Sequence, residues 1–385
     1  VLAAVAVNLL GVCPLFLTGA MAVQISRDFG VSPASIGVLA SVFAVASMVG
    51  SAPLGGRVRV WGVRRSLRLS STLAICALLM ATVSPSVPIL GLALLIAGTG
   101  NALGQPAGNS LVASQIPQSR FGLGFGIKQS AIPLATMLGG LAVPMVALTI
   151  GWRAAYLMAA VAALGAMALV PPDRMVSTNR SESSVPRREQ RPLWLLSLGL
   201  AAAAFAAVSI GALGAAGGVE VGLSEAAAGF LVAAGGFFGL AIRLGAGALA
   251  DKRYFDSLAA VSGLCLLGAL GWMAMAAGSV MLFAIGLIVA NAFGWGWPGL
   301  AHLSVARRFP SATGAASGIA QSGVSTGVLL GPLLLGIAAV TVGWQWTWLA
   351  AATAAIVGAI VVRFAARRIP DPTAPTAAVN PSVSP

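Results

Sequence analysis

The sequence predicts an all-α membrane protein of twelve transmembrane helices, arranged as two six-helix halves in parallel orientation. Hydrophobic residues make up 58% of its 385 residues, charged residues only 8%, and the mean hydropathy is +0.95. Soluble domains do not have this composition. Apolar segments of about 20 residues, the length that crosses about 30 Å of hydrocarbon, recur along nearly the whole chain. An internal repeat relates the first six segments to the last six.

The predicted spans follow one another with short connections. Their bounds are 1–23, 34–56, 67–86, 88–112, 121–149, 153–171, 193–218, 226–250, 257–277, 279–305, 313–341 and 345–366. Cys13, Cys76 and Cys265 all fall inside spans, where they are interpreted as small apolar side chains. No disulfide, metal site or cofactor is predicted.

The orientation follows from the distribution of basic residues, which collect in the cytoplasmic loops of membrane proteins. With span 1 running outward, one side of the membrane receives Lys252 and nearly all arginines, and the other receives only Arg27 and Arg153. This asymmetry predicts a multi-pass protein of the plasma (inner) membrane with both termini in the cytoplasm. The net charge of +13 is then a topology signal, and nucleic acid is not predicted as a partner.

The internal repeat has a single offset of 192 residues. "GVSPASIGVL" at 30 matches "GLSEAAAGFL" at 222, and "GIKQS" at 126 matches "GIAQS" at 318. Because each copy holds six spans, the copies have the same orientation and are parallel repeats. The predicted organisation is an N-terminal half (1–172), a cytoplasmic linker (173–192), a C-terminal half (193–368) and a disordered cytoplasmic tail (369–385).

The connection between spans 2 and 3 contains a glycine-rich basic motif. "GGRVRVWGVRR" supplies Gly55, Gly62, Arg64 and Arg65. With the twelve spans and the repeat, this motif resembles the signature loop of the major facilitator superfamily of secondary transporters, and the resemblance covers the whole chain. The family has an aspartate four residues after the first glycine, where this sequence has Arg59.

The second copy of the motif is more complete. "GALADKR" keeps Gly247, Asp251 and Arg253, and Gly247 lies 192 residues after Gly55. In the family this loop helps to latch the cytoplasmic side in the outward-open state. The resemblance therefore implies that Asp251 is the better candidate for a gating residue.

Two basic residues lie deep inside predicted spans, and the others lie in loops or near span ends. Lys128, in "GFGIKQSAIP", lies eight residues from the predicted start of span 5, and Arg243 lies eight residues before Asp251 at the end of span 8. At 1.5 Å per residue both are roughly 12 Å from the same membrane surface. The resemblance implies that spans 5 and 8 meet beside a central cavity, so both cations are predicted to face it.

None of the nine acidic residues is placed near a span centre. A buried cation is costly unless it is hydrated or paired, and such residues often mark a substrate path. Lys128 and Arg243 are therefore predicted to bind a small organic anion, with Arg243 gripping a carboxylate through two parallel hydrogen bonds. A weaker resemblance to the cyanate, oxalate/formate and monocarboxylate branches of the family supports this class. In the alternative, backbone carbonyls, Asn or Gln satisfy both cations.

Further polar residues lie at comparable depth. Candidate substrate contacts are Gln129, Gln321, Asn101, Asn291 and Trp295. Each is also interpreted as a helix-packing residue. His302 is interpreted as a packed or solvated side chain rather than as a proton relay.

The predicted function is secondary active transport of a small organic anion by alternating access, in a monomer that is not an enzyme. Proton coupling and anion exchange both remain open. The alternatives are a multidrug or neutral-solute exporter of the same fold, a channel, and a non-transporting receptor or scaffold. A multidrug or neutral-solute exporter would more often carry an intramembrane Asp or Glu to engage cations and protons, and the sequence places no acid near a span centre.

Overall fold

The computed structural model of the chain describes residues 2–117, 120–168, 170, 185–252, 256–310 and 312–369. Within these ranges the protein consists of helices and connecting segments. The helices are α1 (Leu2–Ala20), α2 (Ala22–Phe29), α3 (Pro33–Trp61), α4 (Val63–Thr82), α5 (Val87–Gln115), α6 (Phe121–Gln129), α7 (Ala131–Ala142), α8 (Trp152–Met167), α9 (Arg187–Glu220), α10 (Glu225–Lys252), α11 (Ser257–Ala276), α12 (Val280–Gly294), α13 (Pro298–Arg308), α14 (Thr313–Thr341) and α15 (Trp344–Ala366). A π-helical segment, Val143–Ala147, continues α7.

Ten helical segments of the described chain are long and apolar enough to cross a membrane, which confirms an all-helical, multi-pass membrane protein. The other two predicted spans coincide with α4 and α8. Helix α4 begins at Val63, so its first turns contain the arginines of the connection, and α8 has only 16 residues. The count of twelve spans therefore stays a prediction. Helix α9 begins at Arg187, inside the segment predicted as linker, where Glu189 lies in its first turn; a carboxylate is favourable at that end of a helix.

Two predicted spans are interrupted near their middle. Span 5 is divided into α6 and α7 at Ser130, and span 10 into α12 and α13 at residues 295–297. Pro133 and Pro298 explain the positions of these breaks, because proline has no backbone N–H to complete the preceding turn. The carbonyl of Gln129, four residues before Pro133, therefore has no partner within its helix.

Close backbone contacts join helices of the first six spans to helices of the last six. A Cβ atom at Gly37 would lie 2.2 Å from the carbonyl oxygen of Pro332, and one at Gly229 would lie 2.7 Å from that of Gly140. Adding 192 to Gly37 and Gly140 gives Gly229 and Pro332, so the repeat offset converts one contact into the other. Small residues allow this approach between helices in lipid.

Candidate functional site

The side chain of Arg243, on α10, is buried and connects the two helix breaks. Its Nε donates to the carbonyl oxygen of Trp295 at 3.0 Å, and its Nη2 donates to the same oxygen. Its Nη1 donates to the carbonyl oxygen of Gln129. These carbonyls lie at the C-terminal ends of α12 and α6, where helices carry partial negative charge. All three nitrogens of the guanidinium are thus bound by the protein, as the alternative interpretation of Arg243 had it.

Lys128 is fully buried and points toward α5 and α1. Its Nζ donates to the side-chain oxygen of Gln105, and its Cε lies 3.5 Å from where a Cβ at Gly108 would be. The Asn8 amide donates to the backbone carbonyl of Lys128 at 3.2 Å. The ammonium is therefore held between helices of the first six spans.

A chain of side-chain hydrogen bonds extends from this lysine. The Gln105 amide donates to Asn8 Oδ1 at 2.5 Å and to Asn101 Oδ1 at 3.3 Å. The Asn101 amide donates to Ser47 Oγ at 2.8 Å. We call Asn8, Ser47, Asn101, Gln105 and Lys128 the amide network.

The amide network includes residues that the sequence reasoning missed. Asn101 was a candidate, whereas Gln105, Asn8 and Ser47 were not. The sequence did contain a signal for Gln105. Polar amides recur every fourth residue, at Asn101, Gln105 and Asn109, and residues at this spacing lie on one face of a helix. The structure places Lys128 in this network and Arg243 at the helix breaks, with different partners. Joint binding of one anion by the two stays a prediction.

The side chains of Gln129, His302 and Gln321 meet beside a narrow cavity. His302 Nδ1 lies 2.7 Å from the carbonyl oxygen of Pro298. Because a carbonyl only accepts, this nitrogen carries the proton of the neutral ring. Gln129 Nε2 lies 3.5 Å from His302 Nδ1, and Gln321 lines the same cavity as His302.

The cavity itself has a volume of about 10 Å³, roughly the space of one water molecule, and lies between α9, α13 and α14. Apolar side chains make up most of its wall. The lining residues are Leu200, Ala301, His302, Val305, Ser317, Ala320, Gln321 and Val324. Sites for drug-sized molecules have volumes of about 300–1,000 Å³, so this cavity is much smaller than such a site.

Several buried side-chain polar atoms of α6, of α12 and of the break after α12 have no hydrogen-bond partner among the described residues. They are Gln129 Oε1, Asn291 Nδ2, Trp295 Nε1 and Trp297 Nε1. The guanidinium of Arg243 also lies 5.6 Å from the centre of the Trp295 ring. Because buried polar groups are usually satisfied, these atoms are open to a bound solute or to water.

Asp251 joins α10 to the start of α6. Its carboxylate accepts the backbone N–H groups of Gly122 at 2.8 Å and Leu123 at 2.7 Å, and Arg307 Nη2 lies 3.8 Å from Oδ1. A carboxylate at a helix N-terminus is stabilised by the free N–H groups and by the helix dipole. We call these contacts the Asp251 latch.

Of the remaining motif residues, Gly62 connects α3 and α4 with a φ of 80°, a backbone conformation that favours glycine. Gly55 lies in α3, and Arg64 and Arg65 lie in the first turn of α4. Gly247 packs against α6, since a Cβ there would lie 2.6 Å from the Gly122 carbonyl oxygen. Arg253 lies outside the described residues.

At the opposite end of the bundle, Glu225 joins α10 to α2. It accepts a hydrogen bond from Gln24 at 2.7 Å and pairs with Arg27. Beyond the end of α1, Asp28 accepts from Arg153 at 2.6 Å, and this hydrogen bond lowers the pKa of the Asp28 carboxyl. Contacts of the charged side chains Asp251 and Glu225 therefore join the first six spans to the last six at both ends of the bundle.

Comparison with known proteins gives two matches. The family model described as the Major Facilitator Superfamily matches residues 4–304. The chain is also 28% identical over 364 residues to a chloramphenicol resistance protein of Streptomyces lividans, and the alignment covers 89% of this chain and 88% of that protein.

Proposed function

Because the chain belongs to the major facilitator superfamily and is thus a transporter rather than an enzyme, we propose that it exports a neutral, polar, drug-sized organic solute. This is the neutral-solute alternative of the sequence reasoning, and it now takes precedence over the organic anion. The observation that carries it is the bonding of Arg243. The Nε, Nη1 and Nη2 atoms donate to the backbone carbonyls of Gln129 and Trp295, so the Nε–Nη2 edge is already occupied and only two of the five N–H groups are left for a carboxylate.

Apart from the ammonium of Lys128, the polar groups left for a solute are neutral. Amides dominate the network around Lys128, and the unpaired atoms of Gln129, Asn291 and Trp295 supply one acceptor and two donors. Such groups bind hydroxyl, amide and nitro groups without any need for charge. Lys128 and Arg243 are buried cations, and no carboxylate lies near a span centre to offset their charge. A cationic drug would be repelled by them, so the proposed substrates are neutral solutes or anions.

The similarity to the chloramphenicol resistance protein supports this proposal, since export of a drug confers resistance to it. Chloramphenicol is a neutral molecule with hydroxyl, amide and nitro groups. Export of a neutral solute against its gradient requires a coupled ion, and the proposal takes this to be a proton that moves inward. Lys128 and His302 are the titratable groups of the interior that are placed to carry it.

A small organic anion is the second candidate. It is favoured by the excess of positive charge in the interior, because Lys128 and Arg243 bring two charges and no described acidic side chain pairs with either. With the cell interior negative, import of one net negative charge costs about 2.3 kcal/mol per 100 mV. An imported anion would therefore need a proton or a counter-anion, whereas an exported one would not.

The proposal includes twelve transmembrane helices in two halves that rock about the site, with Asp251 and Glu225 closing its two ends. The offset-related contacts of Gly37 and Gly229 support an approximate two-fold relation between the halves. The arginine distribution supports cytoplasmic termini in the plasma membrane. The protein is proposed to act as a monomer, with the lipid bilayer as its surroundings. A receptor or scaffold of the same fold would show no saturable flux.

A binding screen tests the substrate class. We expect chloramphenicol and other neutral amphenicols to raise the melting temperature of the purified protein, because a ligand that binds only the folded state stabilises it. Monocarboxylates, oxalate and inorganic anions are the matched comparison. A shift with the anions alone would favour the second candidate and overturn the first.

A further inference from the structure

The exposed residues of α3 form one continuous stripe along the helix. Val38, Val45, Val49 and Arg57 are all exposed and are spaced by seven, four and eight residues. Residues at such spacings lie on one face of a helix. Since exposed valines on a membrane helix face lipid, Arg57 extends the lipid-facing stripe at the end where α3 finishes.

Helix α4 has the same arrangement at the same end of the bundle. Arg65, Arg68 and Leu69 are exposed and are followed on the same face by Cys76 and Leu79. The two arginines therefore lie on the lipid-facing side of α4 in its first two turns. We call Arg57, Arg65 and Arg68 the arginine rim.

Among the described residues, no acidic side chain pairs with the rim. The sequence has no Asp or Glu between Asp28 and Asp173, and no acid of the described residues forms an ion pair with the rim. The one charged-group contact there is between Arg57 and Trp61, whose ring centre lies 5.4 Å from the guanidinium carbon. Tryptophan is typical of the membrane interface.

In the C-terminal half, by contrast, basic residues form ion pairs with acidic side chains. Arg308 and Arg363 lie 3.6 Å and 3.2 Å from the carboxylate of Asp256, and Arg307 lies 3.8 Å from that of Asp251. Positive charge at a cytoplasmic end would satisfy the topology rule in either arrangement. Unpaired cations on a lipid-facing stripe need a further explanation.

The repeat offset relates each position of the arginine rim to a position in the C-terminal half. Adding 192 to the rim positions gives Leu249, Ser257 and Ala260. The equivalent face of the C-terminal half thus carries no cation at these places. The rim is a feature of one half rather than a requirement of the repeated fold.

We propose that the arginine rim binds the phosphate groups of anionic phospholipids in the adjoining leaflet. A guanidinium donates two parallel hydrogen bonds to a phosphate, and the lipid tails would lie along the valine and leucine stripes below. Each basic residue near an anionic surface strengthens binding by about fivefold. Three such residues would favour phosphatidylglycerol over a zwitterionic lipid by about a hundredfold.

The test is native mass spectrometry of the detergent-solubilised protein, titrated with phosphatidylglycerol and separately with phosphatidylcholine. The triple variant Arg57→Gln, Arg65→Gln, Arg68→Gln should lose about a hundredfold in affinity for phosphatidylglycerol and keep its weak affinity for phosphatidylcholine. The matched control removes the same charge elsewhere, through Arg187→Gln, Arg188→Gln and Arg191→Gln, and should change the affinity less than about threefold. Glycerol phosphate, which has the headgroup chemistry without tails, should not compete at equal concentration.

An unchanged affinity in the triple variant, or an equal loss in the control, would overturn the proposal. Effective competition by glycerol phosphate would show a soluble phosphate site instead and would also overturn it. If the triple variant does not fold, each single substitution should still weaken phosphatidylglycerol binding by about fivefold, and three unchanged single variants would be equally decisive.

Discussion

Removing the charge of Asp251 should open the end of the protein that this residue closes. In Asp251→Asn one oxygen still accepts an N–H group of α6, while the new amide turns a donor toward the second N–H group. The carboxylate now accepts from Gly122 and Leu123 at 2.8 and 2.7 Å. Loss of one hydrogen bond to a charged group costs about 1.5–3 kcal/mol, and loss of the charge at the helix N-terminus costs a further 0.3–1 kcal/mol or so.

The sum, about 2–4 kcal/mol, favours opening only to the extent that the latch is absent from the open state. If the latch is fully absent from the open state, we expect the ratio of open to closed molecules at this end to rise by about 30-fold or more, since 1.4 kcal/mol is a factor of ten. Substrate affinity should change little, because Asp251 lies at the end of α10 and Arg243 lies two turns away.

The assay is a pulsed electron resonance measurement of the distance between two spin labels. Labels on Ser114→Cys and Ala315→Cys, both exposed at this end, report the separation of α5 from α14 in a background without the native cysteines. Asp256→Asn is the control, since it removes an equal charge whose contacts, with the N–H of Ala259 at 3.1 Å and with Arg308 and Arg363, all lie within the last six spans. Identical distance distributions in Asp251→Asn and the unmodified protein would refute the reasoning.

Three further predictions concern the other charged contacts. Arg243→Ala leaves two buried carbonyls without a donor and should lower the free energy of unfolding by about 2–5 kcal/mol; an unchanged denaturation midpoint would contradict the bonding described for it. Glu225→Gln should loosen the opposite end only slightly, because the pair with the exposed Arg27 contributes at most about 1 kcal/mol, and a shift as large as that of the latch variant in spin-label distances would be unexpected. The pKa of Asp28 is lowered by Arg153, so the ion pair should stabilise the protein above pH about 4 and lose that effect as the pH falls below it. Thermal unfolding of Asp28→Asn should therefore approach that of the unmodified protein in acid, and a constant difference across the pH range would contradict this.

Much of the fold could be predicted from hydropathy and the repeat. Lipid requires every backbone polar group of a span to be bonded within a helix, so long apolar runs have few alternatives. The interruptions at Ser130 and at residues 295–297 were not predicted, although Pro133 and Pro298 mark them. A proline within a membrane helix is compatible with a bend, a break or a straight helix, and neighbouring helices decide between them.

For the site, the sequence predicted which charged residues are buried but not which groups they contact. Lys128 and Arg243 are buried at the expected places, and Asp251 forms a cross-helix contact. Their partners depend on which carbonyls the helix breaks release and on how α1 and α5 face Lys128. These are tertiary contacts that spacing along one helix does not contain, so Gln105 could have been suspected from its distance to Asn101, but Asn8 could not.

Counterflow in proteoliposomes tests the central claim most directly. Vesicles loaded with unlabelled chloramphenicol should accumulate labelled chloramphenicol transiently and with saturation, and excess monocarboxylate should not compete, because Arg243 is held by backbone carbonyls and the free polar groups are neutral. This accumulation should be absent from vesicles that lack the purified protein. Saturable counterflow of a carboxylate without any counterflow of neutral amphenicols would contradict the account.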